Sequence, residues 1–324
     1  MKKSSAFKFV LTICLSIPFF LIAPTLAKYP EKQVTIVVPY PPGGVTDVYG
    51  RALAQRLSQI WGQPVVVDNK PGGGTVIGTQ LVSRASADGY TILLTSYGYT
   101  SNPVLKKSLP YDPKALSPLY LLGTSANMLV INPNLSVKTL SDIVALGKSN
   151  PGALTFGSSG NASSPHIAAE LFAMEAGVKM THIPYKGTGP AMNDLLGGQI
   201  MGIFDGPSAM PRVRAGQLNA IAIASAQRHP AAMEVPTFRE LGIDLVFGSW
   251  FGFFVPTGTF GDVQNSIIAG IELALQDPTV IAAIEKTGLT YARLKQRDYQ
   301  KFLDGEEARL RRLIKTEGAG IQLE

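Results

Sequence analysis

Two stretches of this chain carry the residue types that hold a small anion: Pro39-Tyr-Pro-Pro-Gly-Gly-Val-Thr-Asp47 and Gly157-Ser-Ser-Gly-Asn-Ala-Ser-Ser-Pro-His166. Glycine permits positive φ and a close approach of the main chain, so Gly43, Gly44, Val45 and Thr46 are expected to offer a concave set of backbone N–H groups. Ser158, Ser159, Asn161 and Ser163 add hydroxyls, an amide and further main-chain donors. A hydrogen bond to a charged group contributes about 1.5–3 kcal/mol. Four of them therefore approach the ~8 kcal/mol of a micromolar dissociation constant, before entropic costs. Neither loop contains an arginine or lysine, and the chemistry does not require one.

Other side chains should face the same place. Tyr185 and Lys186 follow an apolar run at 180–183, and Asp205 closes another at 200–204. If the Asp205 carboxylate meets the far end of a ligand, it disfavours a second carboxylate there unless a proton or water intervenes. Tyr40, Tyr97 and Tyr99 are expected as aromatic walls, whereas Trp250 reads as core or crossover packing. Plainer readings stand beside these. Both loops could be ordinary strand-to-helix turns, and Asp47 explains equally well as a helix N-cap or as a partner for a ligand ammonium or water. His166 at a helix start could donate to the ligand or pair with Glu170 at i+4.

No catalyst accompanies the two loops. Gly157-Ser-Ser-Gly160 resembles a nucleophile elbow, but the G-x-S-x-G spacing fails because position 161 is Asn, and His166, His182 and His229 are the only bases available. Gly72-Gly-Gly74 followed by Gly78 has the wrong spacing for a dinucleotide fingerprint, and no G-K-[ST] phosphate loop occurs. Three scattered histidines make no metal constellation. The expectation is a binding protein with no cofactor, no metal and no catalytic residue.

The elements that must position these loops alternate strand and helix. Val34–Val38 and Leu154–Phe156 are short apolar runs of strand type, and each leads through its loop into a helical stripe. A loop at the carboxyl end of a strand that opens a helix presents free N–H groups and the positive end of the helix dipole. The first helix is expected over 48–61, with Thr46 or Asp47 as N-cap and Gly62 as a terminating glycine. The second has Ser164 as N-cap and Pro165 at the first helical position. Thr139-Leu-Ser-Asp142 reads as a capping box with Asp in place of the usual Glu. Such alternation implies an α/β fold whose sheets are mostly parallel and covered on both faces. Two longer β-like stretches, 119–131 and 245–255, read as crossovers between two lobes. The boundaries are drawn at 28–126 plus 248–324 for lobe I and 127–247 for lobe II.

The ends bound the compartment. Lys2, Lys3 and Lys8 precede an apolar run from Phe9 to Ile22, and Thr25-Leu-Ala27 ends on a small residue, the pattern of a secretory signal peptide over 1–27. The rival reading, an uncleaved anchor, is disfavoured because a bilayer needs roughly 20 apolar residues. Cleavage removes those three lysines and no acidic residue, which takes the formal charge from +6 to +3. It also removes Cys14, the only cysteine, so no disulfide or thiol chemistry is expected in the mature chain. The remaining 297 of 324 residues suffice for two lobes. The densest basic stretch, Arg309-Leu-Arg-Arg312, lies beside Glu306 and Glu307 and reads as a solvated helix face, not a nucleic-acid footprint.

Ten short motifs then occur in order: the first loop, Asn69-Lys-Pro-Gly-Gly-Gly-Thr-Val-Ile-Gly78, Ala87-Asp-Gly-Tyr-Thr-Ile-Leu-Leu94, Leu109-Pro-Tyr-Asp112, the second loop, Ile183-Pro-Tyr-Lys-Gly187, Leu195-Leu-Gly-Gly-Gln199, Ala215-Gly-Gln-Leu218, Gln227-Arg228 and Val235-Pro-Thr237. In this the chain resembles the Bug family, the periplasmic solute receptors of tripartite tricarboxylate transporters, over essentially the whole mature length. The resemblance implies a two-lobed periplasmic-binding-protein fold of type II-like form with two crossover segments as hinge. It further implies a small organic acid gripped in the cleft by main-chain N–H groups of both loops, partly through water. The implied partners are the membrane subunits of such a transporter, met by a monomer. A receptor of this fold can equally present its liganded form to a sensor protein. Two departures stand out: Gly72-Gly-Gly74 replaces a more usual glycine–alanine–glycine, and Pro165 removes one N–H from the second loop.

Overall fold

The computed structural model describes residues 29–317. The signal-peptide reading of 1–27 and Cys14 lie outside the described residues.

The first loop grows out of β1 (Val34–Val38), a β-branched run buried on both sides, and opens α1 (Val45–Trp61). That helix stops at Gly62, whose left-handed backbone returns its N–H to the Ser58 carbonyl. The chain continues through β2 (Val65–Asn69), α2 (Val76–Ser83), β3 (Thr91–Ser96) and α3 (Gly98–Leu105). The long β4 (Leu116–Ala126) is separated from β5 (Met128–Ile131) by Asn127 alone. Next come α4 (Leu140–Ser149), β6 (Leu154–Ser158), α5 (Ser164–Ala176), β7 (Met180–Pro184), α6 (Thr188–Leu196), β8 (Gly202–Asp205), α7 (Met210–Arg214) and β9 (Asn219–Ile223). The return strand β10 (Gly248–Pro256) precedes α8 (Gly261–Ala274), α9 (Pro278–Glu285), β11 (Thr290–Lys295) and α10 (Gln296–Glu317).

These strands form two sheets, in the orders β11-β4-β10-β3-β1-β2 and β7-β6-β8-β5-β9. Helices cover both faces. In the first sheet, Tyr49, Leu53 and Leu57 of α1 pack with Ile267 and Ile271 of α8 and Ile284 of α9. Across the strands, Trp250 and Phe254 meet Tyr299 and Leu303 of α10. The second sheet buries Phe156 and Phe204 against Ile167, Leu171 and Phe172 of α5, and Ile203 against Leu195 of α6. Each fully buried large apolar side chain contributes about 1.5–3 kcal/mol.

The sheets are mixed, which corrects the expectation of mostly parallel ones. β1 pairs in parallel with β2 and β3, and β6 with β7 and β8, but β10 runs antiparallel to β3 and β4, β11 to β4, and β5 to both β8 and β9. Parallel neighbours need a crossover, usually a helix. Asn127 alone joins β4 to β5, and β10 enters the first sheet coming back from the second. At that passage three residues knit the segments together. The N–H of Asn127 donates to the Phe247 carbonyl at 3.0 Å, Ala224 N–H to Asn127 O at 2.7 Å, and Phe247 N–H to Ala224 O at 2.9 Å.

Local expectations also shift. The capping box at Thr139 and Asp142 forms as read. The helix α1 begins three residues earlier than expected, with Gly44 as N-cap, and Asp47 reaches backward to Gly43 instead of forward. In α5 the N-cap is Ser163, and Pro165 occupies the second helical position. Neither α3 nor β11 is evident from sequence. α3 contains Gly98 and Pro103, poor helix formers, and is held by tertiary bonds: Asn102 Nδ2 donates to Gly74 O at 2.7 Å and Ser101 Oγ to Ala162 O at 2.5 Å.

Candidate ligand-binding site

The two anion-type loops meet, and each brings a helix N-terminus. A cavity of about 80 Å³ lies where they converge. By the volume that one ordered water needs, that is room for roughly five to eight water-sized groups. Its wall includes Gly44, Val45 and Thr46 from the start of α1, and Ser163, Ser164 and Pro165 from the start of α5. Two more helices end on it: α3 through Gly98, and α6 through Gly187, Thr188 and Gly189. Four helix N-termini thus face one small space. Each carries unsatisfied N–H groups and a partial positive charge of about half an electron. The Ser163 hydroxyl on this wall is buried and has no hydrogen-bond partner within the protein.

The remaining wall is polar and aromatic. Ser96, Ser125, Ser208, Ser249 and Thr287 line it, together with Tyr40, Tyr97, Phe204 and Phe251. Ser96 and Ser249 are bonded to one another at 2.5 Å. Burial pushes the phenol of Tyr40 up to about 12, so it is a neutral donor at physiological pH. Among the described residues that line the cavity there is no Lys, Arg or His, and the one carboxylate is Asp205. Burial raises Asp205 to about 6, against the opposing pull of Gly206 N–H, Arg212 and the Ser208 hydroxyl.

Several expected residues lie elsewhere. Gly43 is the left-handed glycine of the first loop, at φ +84°, but its N–H donates to Asp47 Oδ2 at 2.9 Å and does not line the cavity. Gly44 has an ordinary extended backbone, so positive φ belongs to Gly43 alone. Asp47 is 3% exposed; its carboxylate also accepts from Arg51 Nε and Asn69 Nδ2, both at 2.9 Å. Burial works to raise it, yet the Arg51, Gly43 and Asn69 hydrogen bonds prevail and hold it below the usual range. Asp47 braces the loop from behind.

In the second loop, Ser159 and Ser163 reach the cavity, whereas Ser158 is turned inward. Ser158 Oγ lies 2.6 Å from His182 Nε2 and accepts from Gly160 N–H. His166 stacks on His182 with ring centroids 3.9 Å apart, accepts from Ala162 N–H through Nδ1, and sets Nε2 3.6 Å from Glu170. Tyr185 donates to Asp194 Oδ2 at 2.7 Å. Asn161, Tyr185 and Lys186 line a neighbouring crevice of about 240 Å³, which shares Tyr40, Pro41 and Ser159 with the cavity. Tyr97 lines the cavity, but Tyr99 packs on Phe254 and bonds to Pro113 O.

Sequence reasoning did not assign Ser96, Gly98, Ser125, Asn127, Gly187–Gly189, Ser208, Ser249 and Thr287 to the site. Most lie just past the carboxyl end of a strand, the place where ligands bind in open α/β sheets. That rule applied to β3, β7 and β8 as well as to β1 and β6 points to Ser96–Gly98, Gly187 and Ser208. Thr287 follows α9, far along the chain, and no local pattern marks it.

A family model described as tripartite tricarboxylate transporter family receptor matches residues 49–319. The chain is similar to the protein BugT of Bordetella pertussis, 36% identical over 311 residues, which covers 93% of this chain and 94% of that protein. It also superposes on the solved periplasmic binding protein BugD with a TM-score of 0.85 at 30% identity, covering 90% of this chain and 99% of the other. An R. palustris protein solved with adipate gives a TM-score of 0.85 at 31% identity, covering 90% of this chain and 98% of the other.

Proposed function

The chain belongs to the tripartite tricarboxylate transporter receptor family, and from that premise we propose that its cavity captures a small organic carboxylate for delivery to the membrane subunits of such a transporter. The observation that carries the ligand class is the convergence of four helix N-termini on a cavity with no cationic side chain. Main-chain N–H groups of Gly44, Val45, Thr46 and Ser164, with the hydroxyls of Ser159 and Ser163, are the donors we assign to one carboxylate. Pro165 supplies none. Tyr40, Tyr97 and Asp205 complete the wall, whereas Gly43, Asp47, Ser158 and His166 support the loops. The adipate held by a relative fits this class of ligand.

The lobes we assign are 28–126 with 248–324 and 127–247, closing about the passage at Asn127, Ala224 and Phe247. The working form is a monomer in the periplasm, delivered there by residues 1–27. The test is a thermal-denaturation screen of the purified protein against C4–C6 diacids, amino acids and aromatic carboxylates. A ligand at 100 times its dissociation constant stabilises by about 2.7 kcal/mol. A rise in Tm confined to carboxylates supports the proposal, and no shift with any of them at millimolar concentration overturns it.

A further inference from the structure

The cavity is built to attract one negative charge and already contains another. Asp205 closes β8 on the cavity wall, and no Lys, Arg or His lines that wall with it among the described residues. The groups that act on its carboxylate are few. Gly206 N–H, Arg212 of α7 from outside the lining and the Ser208 hydroxyl each favour its charged form, against burial. From α1, the Tyr49 phenol lies close enough to be raised further by the Asp205 charge, and Tyr49 is itself engaged with Thr287 Oγ1 at 2.5 Å. The β5 residue opposite is Met128, which carries no charge.

Two carboxylates that share a site do not both stay ionised, because each raises the cost of charging the other. A monoanion with a hydroxyl or ammonium against Asp205 meets no such cost. A dianion does. We propose that Asp205 reads the ligand's second polar group as a hydrogen-bond donor, so that a dicarboxylate is captured only together with one proton, shared between its second carboxylate and Asp205. That proton comes from the solvent and forms the O–H···O bond between the two carboxyl groups; no other bond changes. The inference rests on the reading of this cavity as a carboxylate site.

Titration calorimetry of the intact protein with succinate and adipate, and with their half-amides succinamate and adipamate, tests it. Each titration is run at pH 7.5 in phosphate and in Tris, whose ionisation enthalpies differ, so that the protons exchanged are counted. The expected result is uptake of close to one proton per diacid and none per half-amide. The diacid dissociation constant rises about tenfold per pH unit between pH 7 and 8.5, while that of the half-amide stays flat. In Asp205→Asn the amide donates to the carboxylate, so proton uptake disappears and the diacid slope flattens. Half-amide binding with rejection of the diacids also supports the proposal. Diacid binding without proton uptake in the unmutated protein overturns it and leaves the receptor reading intact, as does a slope that survives in Asp205→Asn. If neither series nor any other carboxylate binds, both fall. The proton count on the unmutated protein decides the matter even if the variant does not fold.

Discussion

Ser164 Oγ donates a 2.6 Å hydrogen bond to Oδ1 of Asn127, and so ties the start of α5 to the single residue at which the chain leaves one sheet for the other. Both side chains are buried, and both residues line the ligand cavity. The bond joins the helix to which we assign part of the anion grip to the passage on which we place the closing motion. Asn127→Ala strands the Ser164 hydroxyl and removes the Asn127 side-chain amide. Loss of a buried partner costs about 1–3 kcal/mol. Denaturant unfolding should show that loss, and ligand affinity should fall in Asn127→Ala and in Ser164→Ala alike.

Gly74 should be intolerant of any side chain. Its backbone is left-handed at φ +63°, and an added Cβ would sit 2.8 Å from the carbonyl oxygen of Asn161 in the second loop. Gly74→Ala therefore pushes the glycine turn at 72–74 away from the second loop, across the crevice that adjoins the cavity. We expect affinity to fall by about tenfold or more, on the scale of the 1–3 kcal/mol that such backbone strain costs. Solution scattering of the variant with saturating ligand should keep a larger radius of gyration than the unmutated complex.

Gly43 gives a contrasting case. It is also left-handed, but an added Cβ meets nothing within 4 Å and its N–H serves Asp47. Gly43→Ala should cost about 1 kcal/mol of stability with little change in affinity. Asp47→Asn should cost more, because Gly43, Arg51 and Asn69 all lose a charged acceptor. Asp47 is depressed in the folded chain, so its contribution is present above the unfolded carboxyl pKa and fades as pH falls through the folded value. The unmutated and Asp47→Asn proteins should thus converge in Tm only under strongly acidic conditions.

Asp205 carries the opposite sign. Its folded pKa is about 6, above that of an unfolded aspartate, so charging it opposes folding. The penalty is absent below the unfolded pKa, grows as pH rises towards 6, and is fully present above it. Asp205→Asn should therefore raise the Tm of the ligand-free protein at pH 8 by a few degrees, on the order of 2–4 °C per kcal/mol recovered, and do little at pH 4. Calorimetric melting at the two pH values reads this directly.

Much of this arrangement is legible in the sequence, for reasons that particular residues make plain. Glycine and serine clusters after the apolar runs at 34–38 and 154–156 mark strand-to-helix loops. The capping box at Thr139 and the terminating Gly62 are local chemistry, and local chemistry is visible in a single chain. Side-chain direction is not. Asp47 and Gly43 sit in the right loop, yet they bond to one another and to Arg51 and Asn69, contacts set by how α1 docks on β2. Ser158 and Ser159 are neighbours, but one turns to His182 and the other to the cavity. The mixed strand directions, α3 and β11 depend on contacts between distant parts of the chain, and Thr287 reaches the site only because the whole first sheet has formed.

The helix ends to which we assign the donors have a consequence for how such a receptor changes over generations. The N–H is common to every amino acid but proline, so most exchanges along these loops leave the grip in place. Only an imino acid removes a donor outright, and Pro165 on the cavity wall is a position that offers none. Mutation can then rework the tyrosines and Asp205, and change which acid is preferred, while the main-chain donors stay in place. Affinity is inherited through the backbone, and preference drifts through a handful of side chains.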